Sequence, residues 1–221
     1  ELEFDDSCEF TSVVQVDDSK NNNDISTTTN TQDHTEKKKK PRLHSAIYQI
    51  TSDNRFMKCP RYFFSKDNQV LYMAKIKENE IYIGEGQNFH ISENKIENTA
   101  RITRDCRNYN VVNTDDQEFK VKFLQYGTKY SLNTTFSHHG TQLTWRPKGP
   151  KNESSYNGEY NHVPKPSRKN IILQNTSNHV TFILRKMSKK SFEVECHPGV
   201  SPLVVFSIAI SQITGPVVTM Y

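Results

Sequence analysis

Apolar residues are scarce in this chain, at 33% of its 221 residues, and its mean hydropathy is −0.79. So low an apolar content implies that part of the chain stays outside any core. Only one stretch is strongly apolar, SPLVVFSIAISQITGP, Ser201 to Pro216. A membrane-spanning helix needs about 20 apolar residues. This run is bounded by Pro202 and Gly215 and broken by Ser207, Ser211 and Gln212, so it is too short to span. Cysteine is equally sparse. Cys8, Cys59, Cys106 and Cys196 show neither CxxC nor Cys/His metal spacing, which argues against a zinc site or a disulfide framework. Reduced, partly buried thiols are the expectation for a cytosolic chain. GxSxG, HExxH and P-loop motifs are missing, so no enzyme class and no cofactor is implied. His138 and His139 stand beside Gly140 and read as surface histidines of a turn rather than metal ligands. Sequons at Asn133, Asn152 and Asn175 are common by chance in an Asn/Thr/Ser-rich chain, and no secretory signal accompanies them. The start at Glu1 is that expected of a piece of a longer protein.

Charge is unevenly spread. Residues 1–36 hold ten Asp or Glu against one Lys, a net charge of −9, and the run Lys37 to Arg42 adds +5. Residues 44–221 carry +8. Residues 1–43 have few apolar residues and no periodicity, so they cannot offset their ordering entropy and read as a disordered tail. Phe4 and Phe10 flank DDSCE within it, a pattern that serves either as a docking motif or as inert tail. KKKKPR reads as a nuclear localisation signal, a membrane-surface patch or a solvated charge run.

From residue 44 onward the pattern is that of strands. AIYQI, RYFF, QVLYMAKI, EIYIG, NYNVV, EFKVKFLQY, TQLTW, NIILQ, HVTFIL and FEVEC are short and rich in β-branched and aromatic residues. In EFKVKF, Phe119, Val121 and Phe123 alternate with Lys120 and Lys122, so the two sets face opposite ways. Asp67-Asn68, Gly84, Gly86, Asp115-Asp116, Gly127, Gly140 and Ser177-Asn178 read as turns. Many short strands at this spacing indicate an antiparallel sandwich or barrel. RPKGPKNESSYNGEYNHVPKPSRK reads as a long loop with room for a short strand at its centre.

The apolar run has helix boundaries. Ser201 can cap the amino end, Pro202 suits the first helical position, Gly215 suits the residue after the last turn, and Pro216 stops continuation. Val204, Val205, Ile208, Ile210 and Ile213 favour strand on propensity, but length and capping favour a helix over 202–214, roughly 20 Å long. Leu203, Val204, Val205, Phe206, Ile208, Ala209, Ile210 and Ile213 point in every direction around it. Such a helix must be surrounded by protein, and in an otherwise all-β body that places it inside a barrel.

The order of these segments resembles the tubby-like family. HVTFILRKMSKKSFEVECHPGVSPLVVFSIAISQI is similar to that family's closing segment, with Phe206, Ile208, Ala209 and Ile210 matching its Phe-x-Ile-Ala core. Ser167, Lys169 and Asn170 match its Ser-x-Lys-Asn stretch, and AIYQITSDNRFMKCPRYFFSKDNQVLYMAKIK resembles its opening. The match runs over residues 45–216, loosely in the middle, and the ending PVVTMY departs from the family pattern. The resemblance implies a mainly β domain over 44–221. This would be a closed antiparallel barrel of about a dozen strands enclosing a central apolar C-terminal helix, with Leu203, Phe206, Ile208, Ala209 and Ile210 in its core. It further implies phosphoinositide binding through basic residues on one strand and a neighbouring segment. The corresponding role is that of a peripheral membrane adaptor in the cytoplasm, with links to cilia and the nucleus and with protein cargo bound through the tail.

Carried onto this chain, the basic strand is AKIKENE and the neighbouring segment is ARITRDCRNYNVV. The candidates are Lys75, Lys77, and Arg101 or Arg104, with Arg107 a weaker third. Several cations must converge on a bisphosphorylated headgroup. Glu78 and Glu80 stand where the family stays basic, and a carboxylate beside a phosphate repels it. The competing expectation is that Lys75 and Lys77 line a solvated face, as Lys120 and Lys122 do. Specific nucleic-acid recognition is not expected. The aromatics alternate as core residues, and the one good helix is too apolar to enter a groove. RKMSKK and PSRK offer nonspecific contacts only. A monomer is expected.

Overall fold

A computed structural model describes residues 45–53, 60–88, 100–105, 108–112, 118–126, 129–149, 153–158 and 162–215. The expectations for the tail 1–43, for Arg107 and for Cys8, Cys59 and Cys106 lie outside those residues. The strands are β1 (Ala46–Asp53), β2 (Arg61–Lys66), β3 (Gln69–Lys77), β4 (Glu80–Glu85), β5 (Ala100–Asp105) and β6 (Asn108–Val112). They continue as β7 (Glu118–Tyr126), β8 (Lys129–His138), β9 (Thr141–Pro147), β10 (Ile171–Gln174), β11 (Val180–Lys186) and β12 (Ser191–Cys196). One helix follows, α1 (Pro202–Thr214). Every strand pairs antiparallel with its neighbours in sequence. β1 closes the ring against β12, from Ala46 opposite Cys196 to Thr51 opposite Ser191. The result is a closed antiparallel barrel that leaves no sheet edge unpaired.

Strand alternation fills the barrel. Ile50, Phe64, Ile83, Ile102, Val121, Leu132, Leu184 and Val194 point inward and are fully buried. α1 occupies the space that a ligand-holding barrel would keep as a cavity, and Val205 through Ile213 are all buried. Phe206 stacks on Phe64 at 4.8 Å between ring centroids, and Phe64 stacks on Tyr48 at 4.7 Å. Ile208, Ala209 and Ile210 are also wholly buried, while Leu203 packs partly buried at the mouth. Two polar side chains of α1 find partners: Ser211 Oγ donates to the Ser207 carbonyl at 2.7 Å, and Gln212 Nε2 donates to the Arg168 carbonyl at 3.3 Å. Among the described residues, nothing bonds the buried Ser207 Oγ or Gln212 Oε1. Among the described residues no helix is long and apolar enough to cross a membrane.

Several local expectations are corrected. Ser201 holds the N-cap position, but its side chain makes no capping bond; its carbonyl accepts from the Val205 N–H at 3.0 Å. Pro202 has no N–H to cap, so less is lost. Gly215 adopts φ +64°, and its N–H closes the last turn on the Ser211 carbonyl. Gly84 is no turn: it lies buried within β4 opposite Met73. Residues 100–105, expected as a segment leading into a strand, are themselves β5.

In the long loop after β9, the regular element among the described residues is a 3₁₀ turn, Glu153–Tyr156, rather than a strand. The described residues of this loop, 153–158 and 162–170, strap the outer face of β11 and β12. Arg185, Glu193 and Glu195 point outward there, alternating with core residues, yet all three are buried. Arg185 Nη1 donates to Glu193 at 2.6 Å, Nη2 donates to Glu195, and Nε donates to the Tyr156 carbonyl. His162 Nδ1 meets Glu193 at 2.8 Å. Asn170 ties the strap down by accepting from the Lys186 N–H at 2.7 Å and donating to the Lys165 carbonyl at 2.9 Å. The family-like Ser-x-Lys-Asn stretch thus makes structural bonds, Ser167 Oγ accepting from the Lys169 N–H.

Two outcomes test this fold. Phe206→Ala should cost about 3–5 kcal/mol in urea unfolding. Phe206→Asp, which buries an unpaired carboxylate, should cost on the order of the whole stability and abolish the native circular dichroism spectrum. Gly158 sits at φ +61° against the Arg185–Glu195 pair, and a Cβ there would lie 2.9 Å from Glu195 Cδ while overlapping the paired nitrogen and oxygen. Gly158→Ala should lift the strap or split the pair, costing up to about 3–5 kcal/mol, and should expose residues 148–170 to limited proteolysis.

Candidate functional site

Strand register decides which cations meet. Arg61, Lys75, Tyr82 and Arg101 stand in one row across β2, β3, β4 and β5. Their neighbours Ala74, Ile83, Ala100 and Ile102 are buried in the core, so this row faces outward. The next outward row holds Lys77, Glu80, Thr103, Asn110 and Lys120. Strands lie about 4.8 Å apart, which puts the Lys75 and Arg101 backbones about 10 Å apart and Arg61 about 14 Å from Arg101. Lys75, Lys77 and Arg101 therefore share one outer face, joined by Arg61, which the sequence reading did not single out. Lys120 lies on the same face, four strands from Lys77.

Arg104 is on the other side of β5. It is three residues from Arg101, and an odd spacing reverses the side-chain direction. It pairs across strands with the buried Tyr109. Its Nη2 donates to the Glu78 carbonyl, while its N–H donates to the Asn79 carbonyl at 2.9 Å. Tyr109 donates its hydroxyl to the Gly215 carbonyl at the end of α1. Burial raises the hydroxyl pKa values of Tyr62 and Tyr109, and the Arg104 charge partly opposes that. A cation beside the carbonyl end of a helix complements its dipole. Arg104 thus belongs to the closing of the barrel mouth and stands apart from the outer cationic face.

On the outer face Arg101 is engaged by Glu80. Arg101 Nε donates to Glu80 Oε1 at 2.9 Å, and Nη2 donates to the same oxygen. The Tyr82 hydroxyl donates to Oε2, and the Arg101 guanidinium lies 5.9 Å from the Tyr82 ring centre. Lys77 is directly opposite Glu80. The Glu80 and Arg101 side chains keep 22% and 45% of their exposure, so the cluster is reachable from solvent. The Tyr82 hydroxyl bond holds the Glu80 carboxyl below its ordinary pKa, aided by Arg101 and Lys77 and opposed by burial. Each partner's own bond to the Glu80 carboxylate raises its value, Tyr82 and Arg101 alike. The arrangement is a carboxylate seated among an arginine fork, a hydroxyl and an ammonium.

At the opposite mouth, His138 and His139 meet edge to face with ring centres 4.2 Å apart. Burial lowers the His138 pKa, followed by the charges of His139 and His197. Among the described residues no group of His, Cys, Asp and Glu is arranged to hold a metal. Cys196 is buried as a free thiol, and burial raises its pKa.

A depressed carboxyl contributes stability above its ordinary pKa and loses that contribution as pH falls through the folded value. The Glu80 pairing should therefore be unchanged by pH throughout the neutral range and weaken only in acid. Tyr82→Phe removes the largest cause of the depression and should move the Glu80 carboxyl midpoint upward in an NMR-detected titration.

No protein-family model matches this chain, and no curated protein matches it significantly in sequence.

Proposed function

We propose that the chain is a divergent tubby-like protein that works as a non-enzymatic adaptor. In this reading it docks on phosphoinositide-bearing membrane through the outer face of β3–β5 and engages protein partners through residues 1–43. The observation that carries the reading is the convergence of Lys75, Lys77 and Arg101 on one solvent-facing surface, with Arg61 in the same row. A phosphorylated headgroup calls for several cations within one such footprint, and a planar arginine fork adds bidentate geometry to the lysine charges. The filled barrel supports it further: with α1 in the interior, binding of a partner or ligand falls to the outside. Arg104, tied into the mouth, takes no part.

One observation favours a second reading, a tubby-type protein-interaction module without lipid binding: Glu80 already engages Arg101. Vesicle co-sedimentation separates the two. Wild type should pellet with phosphatidylcholine vesicles containing phosphatidylinositol 4,5-bisphosphate more than with phosphatidylcholine alone. Lys75→Glu/Lys77→Glu should remove the difference, and added salt should weaken it. Equal pelleting of wild type on both vesicle types would overturn the lipid reading in favour of the second.

A further inference from the structure

We propose that Glu80 is a built-in occupant of the anion site: the chain's own carboxylate fills the cradle that a phosphate would enter, and ligand binding is an exchange of one anion for the other. The proposal rests on the reading of β3–β5 as an anion-binding face and concerns its regulation.

The cradle is visible because it is filled. Two donors of Arg101 converge on Glu80 Oε1 and the Tyr82 hydroxyl on Oε2, with Lys77 directly across the strand pair. Donors arranged in this way donate to a carboxylate or a phosphate oxygen alike. Surface ion pairs of ordinary kind join one long side chain to another and are weakly held. Here two residues of different strands, Tyr82 on β4 and Arg101 on β5, fix both oxygens of one carboxylate.

Glu80 is also placed to leave. It is the first residue of β4, after the turn in which Glu78 adopts φ +54°, so its side chain can swing toward solvent while the ladder from Ile81 onward stays paired. Once Glu80 swings out, Arg101, Tyr82 and Lys77 present their donors together, with Lys75 beside them in the Tyr82 row. A singly charged anion gains little by the exchange, since it replaces a carboxylate of equal charge. A ligand with two or more phosphates replaces that charge and also reaches Lys75 and Lys77. The mask therefore selects for multiply charged ligands, and any partner that draws Glu80 away would strengthen binding.

For a site open only part of the time, the apparent dissociation constant is the intrinsic one divided by the open fraction. If Glu80 keeps the site closed two-thirds to nine-tenths of the time, its removal should tighten binding about three- to tenfold. The test uses the full chain with Glu80→Gln, Arg101→Met and the double variant. Glu78→Gln serves as a control with the same charge change outside the cradle, and thermal melting checks that each variant folds. The probes are phosphatidylcholine vesicles with phosphatidylinositol 4,5-bisphosphate, phosphatidylserine vesicles, and soluble inositol 1,4,5-trisphosphate.

Glu80→Gln should tighten binding to the bisphosphorylated vesicles and the soluble headgroup about three- to tenfold. Glu78→Gln, which removes a nearby charge but no cradle bond, should gain clearly less, and Arg101→Met should cancel the Glu80→Gln gain. If Glu80→Gln and Glu78→Gln behave alike, or the gain is as large on phosphatidylserine, the effect is net charge and the mask is overturned. Wild type binding the bisphosphorylated vesicles with no gain in Glu80→Gln overturns the mask but leaves the membrane reading standing. A gain on the soluble headgroup without vesicle binding keeps the mask and overturns the membrane reading. Absence of binding to any probe by wild type and Glu80→Gln overturns both.

Discussion

A helix whose residues from Val205 to Ile213 are all buried has no face to give to water. This constraint organises the rest of the molecule. A two-layer packing would leave one side of α1 exposed, so the sheet must wrap around it, and wrapping is complete only when β12 returns to pair with β1. The aromatic stack from Tyr48 through Phe64 to Phe206 runs from the closing seam to the helix, so closure and enclosure are secured by the same rings.

Because the interior is spent on α1, the chemistry moves to the outside, where strand parity sorts it. Outward residues of β11 and β12 form an ion cluster sealed by the strap, with Arg185 fully buried between two glutamates. Outward residues of β3–β5 form a second cluster of similar chemistry, an arginine with a carboxylate, left open to solvent. The first is enclosed and holds a loop in place. The second retains exposure, which is what an exchangeable site requires.

Much of the fold was legible in the sequence because alternation and helix capping are local signals. Ten strands and the limits of α1 could be read from them. β5 and β8 could not: β5 places Ala100 and Arg104 at inward positions, and β8 places Thr134 there, so neither alternates cleanly. Thr134 is tolerated inside because its hydroxyl donates to the Lys120 carbonyl at 3.1 Å. The candidate site was legible only in part. Recognising β5 as a strand would have separated Arg101 from Arg104 by parity alone. Pairing Arg61 with Lys75 needed more. Counting back from the Asp67-Asn68 turn places Arg61 opposite Ala74, but a register shift between Phe64 and Ser65 moves it to Lys75. A one-residue slip reverses a face, and this bulge has no glycine to announce it in RYFFSK. The Glu80–Arg101 contact spans 21 residues and follows from the β4–β5 register.

The position of α1 after all twelve strands has a consequence for how the chain is made. Synthesis delivers the wall before the filling. Until residues 202–214 leave the ribosome, the inward rows of Ile, Phe and Val lack the helix they pack against, and the second edge of β1 waits for β12, 140 to 150 residues downstream. Pairings at such separation form slowly, because loop closure is paid before contacts repay it. Until α1 arrives, the nascent chain therefore carries an apolar trough, the kind of exposed surface that aggregates unless it is shielded.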